Sequence, residues 1–132
     1  MKSAVSDVVL LDSSALLALL QEEPGADAVG QLVPRAAMSA VNYAEVLIVL
    51  RRGGVPEVLA VEIVERLSLR LVPADPVIAR GAAEIVSASR AQGLSLGDAF
   101  CLATARVLDV QVITADRVWS KLRLGVKITV VR

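Results

Sequence analysis

Four acidic side chains stand where their surroundings give them no obvious partner. Asp12 follows the apolar run Val8-Val9-Leu10-Leu11, and Asp116 follows Val112-Ile113-Thr114-Ala115. Glu45 closes Ser39-Ala40-Val41-Asn42-Tyr43-Ala44-Glu45, and Asp98 closes Leu94-Ser95-Leu96-Gly97-Asp98. Each has an ordinary explanation as part of a helix cap. Asp12 and Asp116 could be N-caps, Glu45 could close a capping box with Asn42, and Asp98 a poorer one with Ser95, its side chain being one methylene shorter than glutamate. For two of them the neighbours argue otherwise. Helical spacing sets Glu45 in line with Val41, Ile48 and Val49, and Asp98 in line with Leu94, Cys101, Leu102 and Ala105. Each carboxylate then heads a stripe that should face the core, where it loses hydration and favours the neutral form. Gathering several adds repulsion of about 4 kcal/mol per close pair at an effective dielectric of about 20. No Lys or Arg lies within three residues of Asp12, Glu45 or Asp98, and the chain contains no histidine. The missing positive charge is most simply a divalent metal ion. All-oxygen ligands without imidazole or thiolate point to Mg²⁺ or Mn²⁺ rather than zinc. A metal held by carboxylates beside an open position can activate water and neutralise a phosphodiester, which would let a chain without basic excess act on nucleic acid.

Composition removes many other chemistries. Without histidine there is no Ser-His-Asp triad, no Cys-His pair and no zinc site of the histidine type. The single cysteine permits no internal disulfide, so a reducing compartment, the cytoplasm, is the expected location. Lys+Arg and Asp+Glu number 14 each, so the basic excess of a typical nucleic-acid binder is lacking. Tyr43, Phe100 and Trp119 are the whole aromatic supply, too few for a base-stacking platform. The longest apolar stretches, Ala15 to Leu20 and Val46 to Leu50, fall far short of the roughly 18 residues of a membrane span. Asp7 and Asp12 interrupt the stretch after Lys2, so the start does not read as a secretory signal. The apolar share of 55% suggests that another chain covers part of the surface.

The elements that must position these acids can be read from periodicity and punctuation. With 132 residues and no linker or repeat, the chain is expected to be one domain, 1–132. Val8 to Leu11, Ala36 to Ser39, Leu69 to Val72, Gln111 to Thr114 and Val126 to Val131 read as short strands. Between them lie helices: one capped by Ser13 or Ser14 and broken at Pro24-Gly25, then Ala26 to Leu32, Val41 to Arg52, one opened by Pro56, Asp75-Pro76 to Ala91, Ser95 to Leu108, and a short one from Asp116 to Leu122. Glu62 with Arg66, and Arg80 with Glu84, are spaced to pair on exposed helix faces. Strands alternating with helices imply a three-layer α/β/α domain with a central, mainly parallel sheet of four to five short strands. Ligands of such sheets sit beyond the carboxyl ends of the strands, at the switch point. All four acids would lie near that edge.

Four segments together resemble the PIN-domain ribonucleases, most closely the VapC toxins of bacterial toxin–antitoxin modules. They are Leu11-Asp12-Ser13-Ser14-Ala15, Ser39-Ala40-Val41-Asn42-Tyr43-Ala44-Glu45-Val46, Gly93 to Ala103 around Gly97-Asp98-Ala99-Phe100, and Thr114-Ala115-Asp116-Arg117-Val118-Trp119. The resemblance spans essentially the whole chain in the family's order. It implies a Mg²⁺- or Mn²⁺-dependent endoribonuclease whose acidic site is Asp12, Glu45, Asp98 and Asp116, with Ser13 and Thr114 in support. It further implies a homodimer, an RNA substrate and inhibition by a small antitoxin protein. Asp116 is the acid that acts through water in such sites.

Other features carry bland readings. Cys101 reads as a small buried hydrophobe, Trp119 as packing, and Arg51-Arg52 as complements to a helix dipole. Two rival functions remain. A receiver-type phosphoacceptor domain also gathers acids at strand ends, but it needs paired N-terminal acids and a lysine after a late strand, and here Leu11 precedes Asp12 while Lys127 opens the last strand. A PIN domain without turnover, acting as a binding module, is the non-enzymatic rival.

Overall fold

The computed structural model describes residues 7–132. Five short strands, β1 (Val9–Leu11), β2 (Ala36–Ser39), β3 (Arg70–Val72), β4 (Gln111–Thr114) and β5 (Ile128–Val130), form one sheet. Every pairing is parallel, in the order β3-β2-β1-β4-β5. The central strand β1 has Leu10 opposite Ala37 of β2 and Val112 of β4. Its three residues are all buried, as a continuous apolar run covered on both faces should be.

Side chains alternate across the pleat and divide the interior into two cores. Leu10, Ala37 and Val112 face one side and pack on α5 (Pro76–Ala88), α6 (Leu96–Leu108), Trp119 and Leu122. Val9, Leu11, Ala36, Met38 and Ile113 face the other and pack on α1 (Ser13–Leu20), α2 (Ala26–Leu32), α3 (Ala40–Arg52) and α4 (Glu57–Glu65). The layering expected from the sequence is therefore present, with five strands and all of them parallel. Cys101 and Trp119 are buried in the first core, as packing residues. Among the described residues no helix is long and apolar enough to cross a membrane.

Local chemistry sets the helix boundaries and corrects several expectations. α1 is capped by the Asp12 side chain, not by Ser13 or Ser14; Asp12 is extended, and its carboxylate accepts from Ala15 N. α5 ends at Ala88 rather than Ala91. Its chain tightens into a 3-10 turn at Arg90–Gln92, closed by Gly93 at φ 64°, where a left-handed backbone favours glycine. The helix expected after Asp116 is likewise a 3-10 turn, Arg117–Lys121. On α4, Arg66 and Glu62 meet at 2.6 Å, whereas Arg80 and Glu84 on α5 form no ion pair.

The buried face of α3 also differs from the expected stripe. Asn42, Val46 and Leu50 point inward, and Ile48 is 47% exposed. Glu45 is therefore at the margin of the core face rather than at its head.

Core truncation should separate the layers from the surface. Leu10→Ala is expected to lower the unfolding free energy by about 2–5 kcal/mol, and Val58→Ala, whose side chain is exposed, by no more than about 0.5 kcal/mol. Urea denaturation of the two variants measures the contrast.

Candidate metal centre

The chain order places a switch point between β1 and β4. From β1 the chain builds outward through β2 and β3, then crosses to the other side of β1 to lay down β4 and β5. Crossovers leave in opposite directions there, which opens a crevice at the carboxyl ends of the strands. Asp12 directly follows β1, and Thr114 ends β4.

Asp12 is 4% exposed and bonded through both oxygens. Oδ1 accepts from Ala15 N and Ser14 Oγ, each at 2.8 Å; Oδ2 accepts from Thr114 Oγ1 at 2.5 Å. The two hydroxyls in turn accept from the backbone beyond β4, Ser14 Oγ from Ala115 N and Thr114 Oγ1 from Asp116 N. The hydroxyl oxygens also approach each other to 3.2 Å. With both hydroxyl protons directed at an ionised Asp12, none is left for that third contact; protonation of Asp12 would supply one. Thr114 is thus a direct hydrogen-bond partner of Asp12.

Glu45 reaches the same region from α3. Its Oε1 accepts from Ser13 Oγ at 3.0 Å and from Asn42 Nδ2 at 2.8 Å. The same Asn42 amide donates to Gly97 O at 3.1 Å, tying α3 to the start of α6. Asn42 is fully buried, yet its Oδ1 has no partner. Turning the amide over would set that oxygen against two other acceptors, so chemistry fixes the orientation and leaves the acceptor unmet. The Glu45 carboxylate lies directly over Gly97. A Cβ there would overlap Oε2 and stand 2.6 Å from Oε1, so the carboxylate can hold this position only over a glycine.

Asp98 closes a capping box with Ser95: Ser95 N donates to Oδ2 at 3.0 Å and Asp98 N to Ser95 Oγ at 3.1 Å. Asp116 caps the following 3-10 turn, its Oδ1 accepting from Val118 N at 3.0 Å. Capping, which the apolar neighbours of Asp98 argue against, is therefore present. Among the described residues, Glu45 Oε2, Asp98 Oδ1 and Asp116 Oδ2 receive no protein hydrogen bond. One oxygen of each carboxylate is used for position and the other is open.

Residues 9–124 match the PIN domain family. The chain belongs to the PIN domain family. No curated protein matches it in sequence. Solved structures that share the PIN fold include a toxin–antitoxin complex from Klebsiella pneumoniae, at 20% identity and TM-score 0.73, covering 94% of this chain and 98% of that one. VapBC2 from Rickettsia felis, bound to a fragment of promoter DNA, aligns at 13% identity and TM-score 0.74 over 92% and 97% of the two chains. VapC20 from Mycobacterium tuberculosis, a Sarcin-Ricin loop cleaving toxin, aligns at 17% identity and TM-score 0.69 over 90% and 98%.

The electrostatics of this PIN domain show which acids converge. Burial pushes the Asp12 carboxyl up to about 6; bonds from Thr114, Ala15 and Ser14 oppose the rise, and the charge of Asp98 adds to it. Burial also raises the Cys101 thiol well above its ordinary range, with further contributions from the charges of Asp12, Asp98 and Glu45. All three acids therefore lie close enough to Cys101 for it to feel their charge. Asp116, exposed, joins them only through its amide bond to Thr114.

PIN nucleases generally use a divalent metal. Among the described residues no three His, Cys, Asp or Glu side chains are drawn together tightly enough to chelate an ion on their own. The donor set nevertheless suits a hard cation. It consists of oxygens alone, and among the described residues three carboxylates have an open oxygen, no cation pairs with any of the four acids, and the Asn42 acceptor beside them is unmet. Mg²⁺ commonly takes only one or two carboxylates and keeps several waters, which matches an open arrangement. The capping box expected of Asn42 and Glu45 is not formed, because Ser39 caps α3 and Asn42 instead donates its side-chain amide to Glu45. Sequence reasoning missed Ser14 as a holder of Asp12 and Gly97 as the gap that admits Glu45.

Asp12 gives the metal-free protein a definite pH response. A carboxylate raised from 3.8 to about 6 on folding favours the protonated native state. The contribution of Asp12 to stability is therefore fully present below about pH 4, falls by roughly 3 kcal/mol as pH rises through 6, and is level beyond. Denaturant titrations in EDTA from pH 4 to 7.5 should show this decline in wild type and its loss in Asp12→Asn.

Gly97→Ala is expected to stay within about 1 kcal/mol of wild type, because the flexible end of Glu45 gives way and alanine favours the helix. The displaced carboxylate should leave Asn42, which NMR would register as a shift of the Asn42 side-chain amide.

Proposed function

We propose that this PIN domain, acting as one unit over residues 1–132, is a metal-dependent endoribonuclease and the toxin half of a VapBC-type pair. Asp12, Glu45, Asp98 and Asp116 form its acidic centre. The observation that carries the reading is the division of labour within the carboxylates: among the described residues each of Glu45, Asp98 and Asp116 is fixed by one oxygen and open at the other, and the buried Asp12 has no cation partner.

Mg²⁺ or Mn²⁺ held by Asp12, Asp98 and Glu45, with Asp116 acting through water, would supply a Lewis acid for the phosphodiester and an attacking water of lowered pKa. The chain's own residues do the positioning. Thr114 and Ser14 hold Asp12, Ser13 and Asn42 hold Glu45, and Ser95 holds Asp98. No side chain competes as nucleophile, since Cys101 is buried and kept protonated and there is no histidine to serve as base. The resemblance to toxin–antitoxin complexes supports an antitoxin partner, and apolar side chains left at the surface, Val58 at 80% and Leu96 at 67% exposure, support a covering protein or a second copy.

Cleavage of single-stranded or looped RNA tests the proposal. Activity is expected with Mg²⁺ or Mn²⁺ and not in excess EDTA. Asp12→Asn, Glu45→Gln and Asp98→Asn should each remove most of it while keeping the wild-type far-UV spectrum, and Asp116→Asn should remove less. Loss of Ser13 or Asn42 hydrogen bonding to Glu45 should cost about 10- to 100-fold. Undiminished cleavage in EDTA, or by folded Asp98→Asn, would overturn the mechanism. A folded, metal-replete chain that binds RNA without cleaving it would favour the binding-module rival.

A further inference from the structure

Beside the acidic centre, between α1 and the turn after β4, lies an open cleft of about 690 Å³. At one end are Ser14, which hydrogen-bonds Asp12, and Asp116. At its rim stand two guanidinium groups in different circumstances. Arg132 is paired with Glu23 at 3.1 Å across the cleft wall. Arg117 is exposed, and among the described residues its side chain makes no hydrogen bond or ion pair. The chain has no net charge to attract a polyanion, and no aromatic side chain lines this cleft, Trp119 being buried. A strand held here must be gripped by its backbone and by few charges. A guanidinium with free donors matches a phosphate bidentately, which an ammonium does not.

We propose that this cleft is a phosphate-binding subsite for the RNA strand next to the scissile bond. Arg117 grips a backbone phosphate, and the Glu23–Arg132 pair withholds a second cation from the same strand. The proposal rests on the ribonuclease reading and adds the residues that hold the substrate. Because the Arg117 side chain makes no hydrogen bond or ion pair among the described residues, its loss should not unfold the protein.

The test measures binding apart from cleavage. A fluorescein-labelled single-stranded RNA is titrated, by anisotropy across a salt series, with the Asp98→Asn protein and with the same protein carrying a second change. Adding Arg117→Ala is expected to weaken binding about tenfold and to flatten the slope of log K against log salt by about 0.7, one single-strand phosphate contact. Adding Glu23→Gln, which frees Arg132, is expected to tighten binding and steepen that slope. RNA bound equally well, with equal slope, by the Arg117→Ala protein would overturn the subsite and leave the ribonuclease reading standing. Failure of the Asp98→Asn parent to bind RNA at low salt would overturn both.

Discussion

A carboxylate taken out of water at the end of the central strand, with no cation beside it among the described residues, is the constraint on which the rest of this molecule turns. Asp12 receives three hydrogen bonds, from Ala15 N, Ser14 Oγ and Thr114 Oγ1. Each such bond to a charged group is worth roughly 1.5–3 kcal/mol. Even so the carboxyl is raised to about 6, so desolvation outweighs all three together. The same bonds start α1, orient the end of β4 and place the amide of Asp116. Relieving the strain by replacing Asp12 would therefore release the geometry around it.

Helix capping and the proposed metal chemistry need not compete for these acids, because a capping bond occupies one carboxylate oxygen and leaves the other open. Parallel strands feeding helices put helix N-termini at the carboxyl edge of the sheet, so acids that cap also assemble. The attraction of a helix N-terminus for an anion, about 0.3–1 kcal/mol, is too small to offset repulsion of about 4 kcal/mol between close carboxylates. Capping thus explains where Asp98 and Asp116 sit without neutralising them. A single capping bond uses one oxygen, and the carboxylate has another.

What could be read from the residues depended on the range of each signal. Strand and helix order, the parallel sheet and its edge were legible because apolar periodicity and Pro, Gly and Ser punctuation act over a few residues. The positions of Asp12, Asp98 and Asp116 beyond strands or at helix starts come from the same signals. The stripe through Glu45 misled because Asn42, a polar residue, occupies the buried face of α3 while the apolar Ile48 faces out. The roles of Ser14 and Gly97 were invisible for a different reason. Ser14 acts on Ala115, and Gly97 makes room for Glu45, so each depends on an element far away in the chain.

That distance has a consequence for how the protein comes into being. Thr114 and Asp12 are 102 residues apart, and Ser14 and Ala115 101 apart, yet they close one hydrogen-bonded knot. The chain leaves the ribosome N-terminus first, at about 5–20 residues per second. β1 and α1 emerge early and must wait several seconds at least for β4 before Asp12 gains its hydroxyl partner. Truncated products that stop short of β4 hold the acids of the first half but cannot assemble them. Such non-local closure also belongs to the slower class of folding topologies. The hydrogen-bonded arrangement around Asp12 is thus completed late in synthesis, after most of the polypeptide has been made.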